Sequence, residues 1–356
     1  MSKRLSNFEN LRILAMAMVV TLHYSFKGLM VSPVCDNGLA NNIILWLIPA
    51  FAMCAVNVYV LISGYFLVES EFKISRLVSL IVQVLEYSIV VSVIMLATGL
   101  VDVSAMSLYD FIAIIFPIGT EMYWFISAYV VMYLLSPLLS AGAKAISKRN
   151  LGIVITVLLV LITLEKTILP VSLPLDRAGY DFGWFVVLYL IAAYIRLYGI
   201  GLLEDNKAFS WIMYVLSALM IWATQVGFGK CYADTGISIF KRYSEISTDY
   251  NYVFCLTAAL GLFYGFKNLK LNEESRWAEI ARKIGPMTLG VYLLHEHPMI
   301  RYSWQEWLGV FKERSVAGIL SNWIICMVII YVAGILVEWL RCGIHNCINK
   351  RGKYAE

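Results

Sequence analysis

Arg12 and His23 stand eleven residues apart in an otherwise apolar run, NLRILAMAMVVTLHYSF over 10–26. Eleven residues at 100° each make three turns plus about 20°, so on a helix both side chains share one face, ~16 Å apart along the axis. Charged groups at membrane depth cost at least ~2.5 kcal/mol each and usually face a bundle interior or a wet cavity. An imidazole titrates near neutrality and is suited to moving protons. Read alone, Arg12 is equally a snorkelling anchor at the membrane edge, and His23 a histidine that bonds a neighbouring helix. Glu9, three residues before Arg12, lies on the same face and can pair with the guanidinium.

Three other places hold residues able to bind or react. KISR puts Lys73 and Arg76 together, and GTEMYWF puts Thr120, Glu121 and Trp124 together. Tryptophan at a membrane edge is ordinarily a belt residue; a glutamate beside it can bind hydroxyls or orient a histidine. LLHEHP carries His295 and His297. Two residues apart, they do not share a helix face, which makes a metal site there a poor reading.

The elements that must position these side chains follow from composition. Of 356 residues, 60% are hydrophobic and 15% charged, against roughly 25% charged in soluble domains. The apolar runs are continuous and long, so an all-α, polytopic transmembrane bundle is expected, not a barrel of short alternating strands. We expect a single integral-membrane domain, 1–356, of about ten spans: 10–29, 43–68, 76–100, 124–142, 150–169, 183–200, 209–227, 251–267, 284–300 and 316–341. The segment 105–119 is apolar but short, an interfacial or re-entrant piece, and the long segment 228–250 has room for a short helix. Ten spans place both termini on one side, and that side collects about twice as many lysines and arginines as the other, so the termini are expected in the cytoplasm. A net charge of +4 distributed this way is no nucleic-acid signal. The seven cysteines form no CxxC pair, which argues against a zinc site; Cys35 and Cys231 fall in exterior loops where a disulfide or two free thiols are both open. The first apolar run contains Arg12 and His23 and lacks a small-residue cleavage site, so it is expected to stay as a span.

Four segments in order resemble the acyltransferase 3 family of integral-membrane O-acyltransferases: ENLRILAMAMVVTLH (9–23), VYVLISGYFLVES (58–70), EMYWFISAYVVMYLLSPLL (121–139) and LGVYLLHEHPMI (289–300). The resemblance covers essentially the whole chain, in the form without an appended SGNH-type domain. It implies transfer of an acyl group, usually acetyl from acetyl-CoA, to a hydroxyl of a cell-surface glycan or lipid-linked sugar, in the cell membrane. It carries Arg12 and His23 over as functional residues. Where the family shows an Arg-x-x-Arg pair, this chain has Lys73 and Arg76, keeping the charge but losing one bidentate fork.

On that reading Arg12, Lys73 and Arg76 face the cytoplasm, where the phosphates of acetyl-CoA need cations. His23 is the best candidate for the base that takes the acceptor's proton, a contribution of roughly 10²–10⁴ in rate; direct attack in a ternary complex and an acetyl-histidine relay at His23 are both open. Thr120, Trp124 and His295 are candidates for the acceptor side, and Glu121 is a candidate catalytic residue that orients the histidine or binds the acceptor hydroxyl. No metal is expected. The competing reading is a proton-coupled transporter or exporter, which also needs buried ionisable groups; Glu86 and Glu165 are the acids inside spans, and no repeated half with paired broken helices is visible.

Overall fold

The structure, a computed structural model, describes residues 4–29, 39–169, 177–204, 206–312 and 315–352, without the side chains of 39–42 and 347–352. Cys35 lies outside the described residues, and so does its pairing with Cys231. All regular elements among the described residues are helical. They are α1 (Ser6–Lys27), α2 (Leu39–Ala52), α3 (Ala55–Leu67), α4 (Ile74–Ala97), α5 (Leu108–Ile115) and α6 (Trp124–Ala145). A π-helical turn, Val160–Leu164, joins α7 (Lys148–Leu159) to α8 (Glu165–Ile168). Then come α9 (Phe182–Tyr198), α10 (Gly201–Glu204), α11 (Lys207–Thr235), α12 (Ser238–Ile246) and α13 (Val253–Lys267). The last are α14 (Arg276–Ile284), α15 (Thr288–His295), α16 (Trp304–Trp307) and α17 (Val316–Gly352).

Among the described residues, six stretches are long and apolar enough to cross a membrane: Ile43–Leu67, Ile74–Ala97, Trp124–Ala145, Lys148–Ile168, Lys207–Thr235 and Val316–Asn346. This is a membrane protein built from helices, as lipid demands of a backbone that must satisfy its own hydrogen bonds. Helices α9 and α13 are apolar but shorter. Helix α1 has 22 residues, about 33 Å at 1.5 Å per residue, but Asn7, Glu9, Asn10 and Arg12 make its first third polar. The expected span 284–300 is interrupted. A 3₁₀ turn at Gly285–Met287, built on Pro286, separates α14 from α15, and α15 ends at His295. Pro cannot donate to the helix ladder, which accounts for the break. The short piece expected over 105–119 is α5, opened by a Ser107–Asp110 capping box. In 228–250, α11 runs on to Thr235 and α12 follows.

The described residues fall into two compact units. The first holds Met1–Cys35, Glu86–Met106 and Leu271–Glu356; the second holds Asp36–Leu85 and Ser107–Lys270. In the first, α1 packs on α14, α15 and α17, and α15 packs on α17. Leu11, Ala15 and Val20 of α1 are fully buried there. Polar contacts fix the α1–α17 register, among them Tyr24 Oη donating to Asn322 Oδ1 at 3.0 Å, Trp323 Nε1 to Thr21 Oγ1 at 3.2 Å, and Tyr331 Oη to the Ile13 carbonyl at 3.0 Å. The opposite side of α17 exposes Ile324, Ile325, Val328, Val332 and Leu336. That stripe repeats at helical spacing and suits lipid tails.

The second unit centres on α3, α9, α11 and α13. α11 and α13 meet at Gly261, where a Cβ would lie 2.6 Å from the Tyr214 amide nitrogen, so only glycine allows the approach. Buried Asn57 donates to the Tyr250 carbonyl at 2.7 Å and accepts from Trp184 Nε1 at 2.9 Å. Lys166 is buried and pairs with Asp249 at 2.6 Å.

Candidate functional site

Helix α1 carries candidate residues at both ends. At the N-terminal end, Arg12 Nη1 donates to Glu9 Oε1, the same-face pair expected from the i,i+3 spacing. Arg4 approaches the same oxygen at 3.5 Å. Glu9 is buried, and its second oxygen, Oε2, has no hydrogen-bond partner among the described residues. The start of α1 is tied down by Glu273, which accepts from the Ser6 amide at 3.0 Å and from Arg282 Nη1 at 2.7 Å.

At the other end, His23 Nδ1 lies 2.8 Å from Nε2 of His295, their rings tilted by 49°. The two histidines come from α1 and α15, 272 residues apart in the chain. His295 is buried, and its Nδ1 is 2.6 Å from the carbonyl oxygen of Val291 one helical turn earlier. His23 Nδ1 also lies 3.5 Å from Glu296 Oε1. That oxygen accepts from Lys27 Nζ, and the ammonium sits 5.4 Å from the Tyr302 ring centroid.

The structure thus joins two residues that the sequence presents separately, His23 and His295. It adds Glu296 and Lys27, which sequence reading missed. Both had a signal: Lys27 is four residues after His23 on the same helical face, and Glu296 adjoins His295 in HEHP. His297 is buried against α4, its Nε2 3.2 Å from the Ser88 carbonyl. Glu86, the acid noted inside a span, accepts from Arg341 Nη1 at 2.9 Å and contacts His345 Nε2 at 2.6 Å.

The remaining candidates belong to the second unit. Lys73 and Arg76 are exposed at the start of α4, where the Tyr133 hydroxyl donates to the Lys73 carbonyl at 3.0 Å. Thr120 donates to the Phe116 carbonyl at 2.9 Å. Glu121 adopts φ 53°, a region non-glycine residues seldom enter, and its carboxylate takes two bonds from Arg177, at 3.2 and 3.0 Å. The hydrogen bonds from this guanidinium hold the Glu121 carboxyl below its ordinary range. Trp124 starts α6 and packs on Tyr180 and Tyr250, ring centroids 4.6 and 5.7 Å away.

A helical membrane bundle with a hydrogen-bonded imidazole pair, backed by a carboxylate, is equipped for proton transfer inside lipid. A family model described as an acyltransferase domain, that of the acyltransferase 3 family, matches residues 5–340, and the chain belongs to this family. No curated protein and no solved structure matches the chain.

Proposed function

We propose that the protein is a membrane O-acetyltransferase that takes acetyl from cytoplasmic acetyl-CoA and transfers it to a hydroxyl of a cell-surface glycan or lipid-linked sugar. The observation that carries the reading is the His23–His295 contact in a chain of an acyltransferase family. An alcohol is a weak nucleophile, and a positioned base is what such a transfer needs. His23 accepts the proton as the acceptor oxygen attacks the thioester carbonyl. The carbon–sulfur bond then breaks, and the same proton passes to the departing thiolate. Glu296 stands where it can steady the imidazolium formed in between.

Arg12, Lys73 and Arg76 supply cations for the donor's phosphates, with both termini and the donor in the cytoplasm and about ten membrane crossings in all. Glu9 holds Arg12 in place. Thr120, Glu121 and Trp124 are assigned to the acceptor. The test is a comparison of acetyl esters on surface glycans from cells that carry the intact gene, lack it, or carry His23→Ala. The reading expects esters only in the first. Equal esters in all three would overturn it.

A further inference from the structure

We infer that His295 is the positioning residue of His23: it holds the ring as the Nδ1–H tautomer, so that His23 Nε2 is the atom that takes the acceptor's proton. This inference rests on the reading of His23 as the base and deepens it.

A carbonyl oxygen only accepts, so His295 Nδ1, 2.6 Å from the Val291 oxygen, carries a hydrogen. A neutral imidazole carries one N–H, which leaves His295 Nε2 as a bare lone pair. His23 Nδ1 is 2.8 Å from that lone pair and must donate to it. Neutral His23 then has its other nitrogen, Nε2, bare. An imidazole's tautomer is set by the bond its far nitrogen makes, and here the chain of bonds ends on the backbone of α15. Were His295 the cation, its Nε2 would donate to His23, and the free end of His23 would carry a hydrogen and be unable to accept one.

The proton balance closes within the pair. The acceptor O–H bond breaks and a bond forms between that proton and His23 Nε2. The Nδ1 proton can shift toward His295 Nε2, which spreads the positive charge over both rings while Glu296 lies 3.5 Å from His23 Nδ1. When the carbon–sulfur bond breaks, the pair returns to its starting tautomers and the Nε2 proton goes to sulfur.

The test uses the full chain in lipid nanodiscs with nitrogen-15 in its histidines, of which there are four. Loss of one signal set in His23→Gln assigns His23. The expected spectrum shows His23 protonated at Nδ1 and bare at Nε2; the reverse tautomer overturns the inference. In transfer assays His295→Leu should lower kcat by about 100-fold or more while KM moves little, because a base presented by its wrong nitrogen loses most of the roughly 10²–10⁴ that base catalysis supplies. His295→Gln, whose amide oxygen can accept from His23 Nδ1, should recover to within about 10-fold of the native rate. Native kcat in His295→Leu, or a change confined to KM, sinks the positioning role. If His23→Ala itself transfers acetyl at the native rate, the base reading fails instead, and the two failures are told apart.

Discussion

Gly334 of α17 packs directly on Val291 of α15: a methyl group added at Gly334 would lie 2.5 Å from the Val291 Cα and 2.8 Å from its Cγ2. Val291 is the residue whose carbonyl accepts from His295. A contact between two helices therefore bears on the orientation of the imidazole pair. Gly334→Ala should cost about 1–3 kcal/mol, the range for overpacking a well-filled interface, and should slow transfer more than it lowers donor affinity. Gly343→Ala on the same helix is the control, since nothing lies within 4 Å of its added Cβ. Thermal unfolding in detergent and steady-state kinetics on both variants check this. Equal behaviour of the two would contradict it.

At the other end of α1, Gly285 faces Glu9: its Cβ would fall 2.2 Å from Glu9 Oε2. That carboxylate holds Arg12 through its other oxygen. Gly285→Ala must displace Glu9, and with it Arg12. If Arg12 binds donor phosphate, KM for acetyl-CoA should rise several-fold with a smaller effect on kcat, the pattern of lost ground-state binding. Lys73→Gln and Arg76→Gln should show the same pattern.

Glu296 and Lys27 form an ion pair in which the carboxylate is nearly buried and the ammonium less so. Removing one partner of a fully buried pair costs about 3–5 kcal/mol because the other charge is left uncompensated; Lys27 is partly accessible, so Glu296→Ala should cost less than that. Lys27→Met combined with Glu296→Met should be better tolerated than Glu296→Met alone. A double-mutant cycle on thermal unfolding gives the coupling. Additive effects would mean that the two groups do not depend on each other.

Glu121 and Arg177 give a pH effect of defined sign. The guanidinium depresses the Glu121 carboxyl, so the pair contributes fully above the unfolded carboxyl's value, about 4.3. The contribution is lost as pH falls through the depressed folded value. Both side chains are about half exposed, which limits the effect to about 1 kcal/mol or less. Amide exchange at 120–123 should therefore quicken under acid and in Glu121→Gln, while global unfolding barely shifts. A large drop in global stability would contradict this account.

Much of the candidate face was legible because it is local. Eleven residues put Arg12 and His23 on one side of a helix, and three put Glu9 beside Arg12. The meeting of His23 with His295 was not legible. It depends on how α15 lies against α1, which no periodicity encodes. The break in 284–300 had a visible signal in Gly285–Pro286, but the long apolar run around it masked the signal. The burial of Lys166 follows a π-helical turn at Val160–Leu164. Such a turn shifts every later side chain around the helix, and composition gives no warning of it. The burial of His297 was hidden for a related reason: α15 stops at His295, and the turn after it folds the second imidazole inward onto Ser88.

The most direct test of the central claim is transfer of labelled acetyl from acetyl-CoA by the purified protein in proteoliposomes, native against His23→Ala, with folding of the variant confirmed by thermal unfolding. The account predicts acceptor-dependent label for the native protein and a loss of about 100-fold or more for the variant. Undiminished transfer by a folded His23→Ala protein would contradict it.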